Sequence, residues 1–163
     1  MNRILLSAAV LLLLNTANAL ADTTAAYANV GEGTYFRAHE PTLDIFGTAR
    51  DNWHLGVGVG ANYFFTQWLG AGIETRVEEF DWPNQINASL FARYPIEKWR
   101  LAPYIYGGGG RQFRDGTQWL AHIGVGLDYR LTPRVGLFGD VRETFPEKDS
   151  DFALWRVGLR LRF

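Results

Sequence analysis

From Leu43 to Phe163 apolar side chains return at every second position, in segments of about ten residues. The last segment is the clearest. Ala153, Trp155, Val157, Leu159, Leu161 and Phe163 share one face, and Arg156, Gly158, Arg160 and Arg162 the other. A helix would mix these two sets, whereas an extended strand separates them. The same phase recurs in Trp119-Ala121-Ile123-Val125-Leu127-Tyr129, in Leu55-Val57-Val59-Ala61-Tyr63, and in Leu69-Ala71-Ile73-Thr75-Val77. Ile86-Ala88-Leu90-Ala92-Tyr94 and Val135-Leu137-Gly139-Val141 repeat it again. Leu101 to Phe113 is strand-like but ambiguous in phase, because Pro103, Tyr104, Ile105 and Tyr106 offer apolar groups to both faces. The pattern predicts strands over 42–50, 53–65, 67–79, 84–95, 100–113, 117–131, 134–145 and 151–163.

Tight turns at Thr66-Gln67, Ile96-Glu97-Lys98 and Thr132-Pro133 alternate with polar, mostly longer links at 50–52, 81–84, 114–116 and 146–151. An even strand count places the C-terminus at the short-turn end. Aromatics gather toward both strand ends: Trp68, Tyr94, Trp99, Tyr129 and Phe163 at one, and Trp53, Phe80, Trp82, Phe113, Trp119, Phe145 and Trp155 at the other. Two aromatic girdles about one bilayer apart, with short turns on one side only, are the signature of a transmembrane barrel. A soluble sandwich also alternates apolar with polar, and the segment ahead of the strands argues against it. Residues 1–21 carry one early positive charge, an apolar run from Ile4 to Leu14, and Ala19-Leu20-Ala21 before Asp22. That is a secretory signal peptide; its apolar run falls short of the roughly 20 residues a spanning helix needs. Residues 22–41 read as a mildly polar lead-in, and 42–163 as the barrel. The fold expected is all-β, an eight-stranded antiparallel up-and-down transmembrane barrel.

Composition narrows the chemistry. With 16 basic and 17 acidic residues, the charge gives no reason to expect nucleic acid as a partner. The absence of cysteine removes disulfide frameworks, thiolate metal sites and cysteine nucleophiles. The 18 glycines beside 6 Trp, 7 Tyr and 11 Phe suit strands and would burden helices.

The chain resembles the small outer-membrane β-barrels of Gram-negative bacteria, of the opacity and outer-membrane-protein-A types. The resemblance covers about Leu43 to Phe163. It rests on Trp155-x-Val157-x-Leu159-x-Leu161-x-Phe163, which looks like the signal read by the barrel assembly machinery, and on Leu101-Ala102-Pro103-Tyr104 followed by Gly107 to Gly110. It implies an outer-membrane location after cleavage near Ala21. It also implies contact with outer-membrane lipids and lipopolysaccharide and handling by the assembly machinery. A monomer is expected, and no periplasmic peptidoglycan-binding domain, so the anchoring role of longer relatives is not carried over.

Eight strands enclose a space that side chains just fill, so general diffusion is not expected. The inward phase carries the acids Asp44, Glu74, Glu78, Asp128 and Asp140, and the bases Arg50, Arg76, Arg93, Arg130, Arg142, Arg156, Arg160 and Arg162. Charges of both signs in a narrow, partly desolvated space pair, because an unpaired buried charge costs several kcal/mol. Arg160 is expected to serve inward acids such as Asp140. The expected function is non-enzymatic: a plugged, ion-paired barrel acting in envelope integrity or surface interaction through four extracellular loops. A narrow, weakly anion-selective pore is the alternative, since bases outnumber acids in this set. A lipid-modifying enzyme is the third reading. Ser89 and His122 share the inward phase but lie on nonadjacent strands, so they are not expected to form a nucleophile–base pair. Gly107 to Gly110 lacks the helix and the Lys-Ser/Thr of a phosphate loop. Glu147, Asp149 and Asp151 lack the spacing of a calcium loop and read as a solvated tip. No catalytic residue, metal or cofactor is expected.

Deleting Phe163 should hurt assembly more than intrinsic stability, since one interfacial aromatic contributes only about 1.5–3 kcal/mol of burial. The expected outcome is low outer-membrane yield in cells with near-normal refolding into detergent. Normal cellular yield would remove the targeting role, and failure in both settings would make Phe163 a packing residue.

Overall fold

A computed structural model describes residues 34–50, 54–78, 85–113 and 117–163. The segment read as a signal peptide, most of the lead-in, and Trp53, Phe80 and Trp82 lie outside the described residues. The strands are β1 (Glu40–Arg50), β2 (His54–Phe64), β3 (Leu69–Glu78), β4 (Gln85–Arg93), β5 (Leu101–Gln112), β6 (Gln118–Arg130), β7 (Val135–Pro146) and β8 (Phe152–Arg162). Each pairs antiparallel with its sequence neighbour, and β1 pairs with β8, so the sheet is a closed barrel in meander order. The first strand starts at Glu40, two residues ahead of the predicted start.

The period-two pattern becomes an inside and an outside. Ile45, Val57, Ile73, Ile86, Leu90, Ile123, Val125 and Val157 are exposed on the outer wall. Their inward neighbours Thr48, Arg76, Asn87, His122 and Arg156 are buried. Trp68, Tyr94, Trp99 and Tyr129 are exposed near the short-turn end, and Phe113, Trp119, Phe145 and Trp155 near the loop end. This outer apolar wall between aromatic rims makes the closed sheet a transmembrane barrel. The ambiguous strand resolves cleanly. Tyr104 and Tyr106 are buried inside while Ile105 is exposed outside.

One turn departs from its expected brevity. The link between β4 and β5 holds a one-turn 3-10 helix, Glu97–Trp99. Pro95 has no N–H for the ladder and ends the pairing. The chain then closes back through the Ile96–Leu101 bridge, with Arg100 in the left-handed region at φ 55°.

The interior is packed by pairing large inward residues with glycines across the ladder. Phe46 faces Gly58 on β2 and Gly158 on β8. Gly70 lies between Phe64 and Phe91, and Tyr104 and Tyr106 face Gly126 and Gly124. The space beside Phe46 is taken up: a Cβ on Gly58 would lie 2.5 Å from two Phe46 ring carbons and 2.8 Å from the Thr75 carbonyl oxygen. Substituting Gly58→Ala should therefore destabilise the barrel by about 1–3 kcal/mol through overpacking. Urea unfolding in detergent or lipid vesicles checks this, and an unchanged midpoint would show that Phe46 is free to move aside.

Candidate functional site: the barrel lumen

The lumen holds two ion-pair clusters with an aromatic layer between them. The cluster nearer the short turns begins at Glu40, whose carboxylate accepts from Arg93 Nη2 at 3.0 Å and from Arg130. Arg130 Nε lies 3.1 Å from Asp128, and Asp128 also meets Arg160 Nη1 at 2.9 Å. Arg160 then forks onto Asp44, with Nε at 2.8 Å and Nη2 at 2.7 Å. Asn62 Nδ2 donates to Asp44 at 2.9 Å and to the Thr42 hydroxyl at 3.2 Å. In this cluster Arg93, Arg130 and Arg160 balance Glu40, Asp44 and Asp128.

The second cluster lies deeper. Asp140 takes a two-pronged contact from Arg156, Nε at 2.7 Å and Nη2 at 2.9 Å. It also accepts the hydroxyls of Tyr104 at 2.6 Å and Tyr106 at 2.8 Å. Glu74 accepts from both Arg142 and Arg156, and from Asn87 Nδ2 at 2.9 Å. Gln85 extends the chain of donors to Asn87 at 3.2 Å. Arg142 and Arg156 thus balance Glu74 and Asp140. Planar guanidinium forks hold two carboxylate oxygens at once, which a lysine cannot do.

Between the clusters stand Phe46, Phe64, Phe91, Tyr104, Tyr106 and Phe138, all buried. Phe91 stacks on Tyr106 with centroids 5.3 Å apart, and Phe46 meets Phe138 edge-on at 6.1 Å. The Arg160 guanidinium lies 4.9 Å from the Phe138 ring and that of Arg156 lies 5.9 Å from it, so this ring bridges the two clusters. Desolvated cation–aromatic contacts of this kind contribute roughly 2 kcal/mol.

Several sequence expectations change here. Arg160 serves Asp44 and Asp128, whereas Asp140 belongs to Arg156. The register decides this, since Asp44 stands directly opposite Arg160, and Asp140 opposite Arg156. Arg50 is half-buried, with its guanidinium 3.8 Å from the Phe152 ring. Arg162 is at the short-turn mouth, 3.4 Å from the Tyr35 carbonyl oxygen. Arg76 is buried 5.6 Å from Phe152, and the Glu78 side chain lies outside the described residues. The two clusters bring together Arg93, Arg130, Arg142, Arg156 and Arg160 with Glu40, Asp44, Glu74, Asp128 and Asp140, so the excess of bases read from the sequence is not an excess within those clusters. Glu40, Tyr104 and Tyr106 were missed. Glu40 hides in the polar lead-in before Pro41, and Tyr104 and Tyr106 needed the phase of β5.

Ser89 and His122 do meet, contrary to expectation. Ser89 Oγ and His122 Nε2 are 2.8 Å apart, both side chains buried. The strand between them contributes Gly108, paired with Ser89 on one side and His122 on the other. With no side chain on Gly108, residues of nonadjacent strands touch. His122 Nδ1 has no hydrogen-bond partner among the described residues. The loop acids are not gathered into a metal site, since no group of three ligating side chains occurs among the described residues. Asp149 instead accepts from Gln118, which also receives the Lys148 N–H at 3.0 Å.

No family model and no curated protein matches the sequence. Solved structures do match in shape. The N-terminal β-barrel domain of Pseudomonas aeruginosa OprF is similar at TM-score 0.68 and 15% identity, over 78% of this chain and 99% of that one. A de novo designed transmembrane β-barrel gives 0.61 at 15% identity, over 78% and 98%. Neisserial surface protein A gives 0.55 at 14% identity, over 76% and 95%. The chain therefore has the fold of the small eight-stranded membrane barrels, and at these identities the likeness extends to the fold alone.

Substituting Arg160→Ala should cost roughly 3–5 kcal/mol, because it leaves Asp44 and Asp128 buried without their shared cation. In a double-mutant cycle, Asp44→Asn should recover part of that loss, whereas Asp140→Asn should add to it independently. Urea unfolding in lipid vesicles reads both, and coupling to Asp140 instead of Asp44 would contradict the pairing described.

Proposed function

We propose that this chain is an exported outer-membrane barrel whose lumen is closed, acting in envelope integrity or surface interaction through the loops at one end. The observation that carries the reading is a pair of charge-balanced clusters in the lumen with a layer of packed rings between them. An ion crossing it would have to displace buried pairs, each of which costs several kcal/mol to break. The outer-membrane location is supported by the signal-like residues 1–21, by the apolar outer wall, and by the likeness to barrels such as that of OprF. On this reading the short turns face the periplasm. Outer-membrane lipids and lipopolysaccharide surround the wall, and the assembly machinery reads the face formed by Trp155, Val157, Leu159, Leu161 and Phe163.

A lipid-modifying activity would have to use Ser89 and His122. Both face inward, away from the lipid, and among the described residues the imidazole has no carboxylate partner of the kind that orients a catalytic histidine. That geometry favours a packing role.

Purified protein in planar bilayers should show no steady current above the bare membrane, and it should fractionate with outer membranes as a species that shifts on gels unless boiled. A reproducible, anion-preferring current would replace the closed lumen with the narrow pore. Altered lipid A by mass spectrometry after expression would revive the enzyme.

A further inference from the structure

We propose that residues 34–39 form a strap that lies across the short-turn mouth and acts as the lid of the lumen. The backbone N–H groups of Tyr35 and Phe36 both donate to the Glu97 carboxylate, at 3.1 and 3.0 Å. Glu97 stands in the turn between β4 and β5, while the strap runs directly into β1 beside β8. In a ring of eight strands those two places are on opposite sides, so the segment spans the opening. Between its ends Phe36 is fully buried, with the guanidinium groups of Arg93 and Arg130 each 5.2 Å from its ring. Those two cations are the ones that hold Glu40, so the lid sits on the outermost ion pairs of the lumen. Arg93 also donates to the Arg37 carbonyl at 3.1 Å. The corner from strap to strand is His39 at φ 53°, a left-handed conformation costly for a residue with a side chain. Such a conformation persists only where its surroundings enforce it, and the contacts of Phe36 and Glu97 on one side and of β1 on the other do so.

Without the strap, Arg93, Arg130 and Glu40 would face the aqueous mouth, and water would reach the residues behind them. The inference rests on the closed lumen proposed above, and its test is separate from the conductance measurement. The chain has no cysteine, so a single one serves as a reporter. Thr42 is buried and inward-facing, one step behind Glu40 on β1, and Thr144 is buried at the other half of the lumen on β7. Thr42→Cys and Thr144→Cys are placed separately in the refolded protein, alone and combined with Phe36→Ala, with Glu97→Ala, or with the chain begun at Glu40. Labelling by a charged, water-soluble thiol reagent is followed on the gel-shifted, folded species.

Thr42→Cys should react slowly with the strap intact and about tenfold faster or more in each strap variant, as expected when a local closure is lost. Thr144→Cys should keep its rate throughout. Fast labelling of Thr42→Cys in the intact protein, or an unaltered rate in the strap variants, would overturn the lid. So would equal acceleration at both reporters or failure of every strap variant to fold, since the segment would then support the whole barrel and not its mouth. A current through the unaltered protein would speak against the closed lumen alone.

Discussion

The ladder between β1 and β8, running from Thr42 opposite Arg162 to Arg50 opposite Leu154, leaves the sheet without an edge. In a membrane this closure is obligatory, because hydrocarbon offers no partner to a free N–H or C=O. Closing after eight strands also sets the width of the interior, and that width governs what each inward position can hold. Phe46 fits because Gly58 and Gly158 flank it, and Tyr106 fits because Gly124 faces it. The inward glycines are thus the complement of these inward rings, and that matching follows from the diameter.

The same narrowness explains the charges. Buried guanidinium groups and carboxylates add little net stability compared with well-packed apolar side chains, but breaking one pair leaves a costly orphan. An interior built from such pairs has few alternative arrangements. Asp140 shows how fully a site can be specified: a forked contact from Arg156 on β8 and two tyrosine hydroxyls from β5 fix it from two strands. Phe138 lies close to both Arg156 and Arg160 and so packs against both clusters.

The fold was readable in the sequence because a barrel wall has one side in lipid, which stamps a strict period of two on the strands. Where that stamp blurred, as at Pro103 to Tyr106, the sequence left the phase open and the structure supplied it. Interior pairing was less readable, for a physical reason. Sequence order says which residues point inward, but only the register says which of them meet, and Arg160 falls opposite Asp44 on a strand more than a hundred positions earlier. The contact of Ser89 with His122 was hidden for a related reason. Counting strands assumes that each contributes a side chain to the wall of the lumen, and Gly108 contributes none. Glu40 was hidden by its position ahead of Pro41, in a stretch without alternation.

A designed barrel and two natural barrel structures share this shape at about equal, low identity. The shared shape therefore prescribes few particular residues. The outer face has to be apolar between aromatic rims, a requirement many residues meet interchangeably, so it carries fold and little else. The inner face of this chain carries buried ion pairs, so removing one partner leaves the other buried and uncompensated. The character of this particular chain is therefore concentrated where exchange is hardest: in the two clusters around Phe138, in the Ser89–His122 contact over Gly108, and at the mouth, where Phe36 meets Arg93 and Arg130.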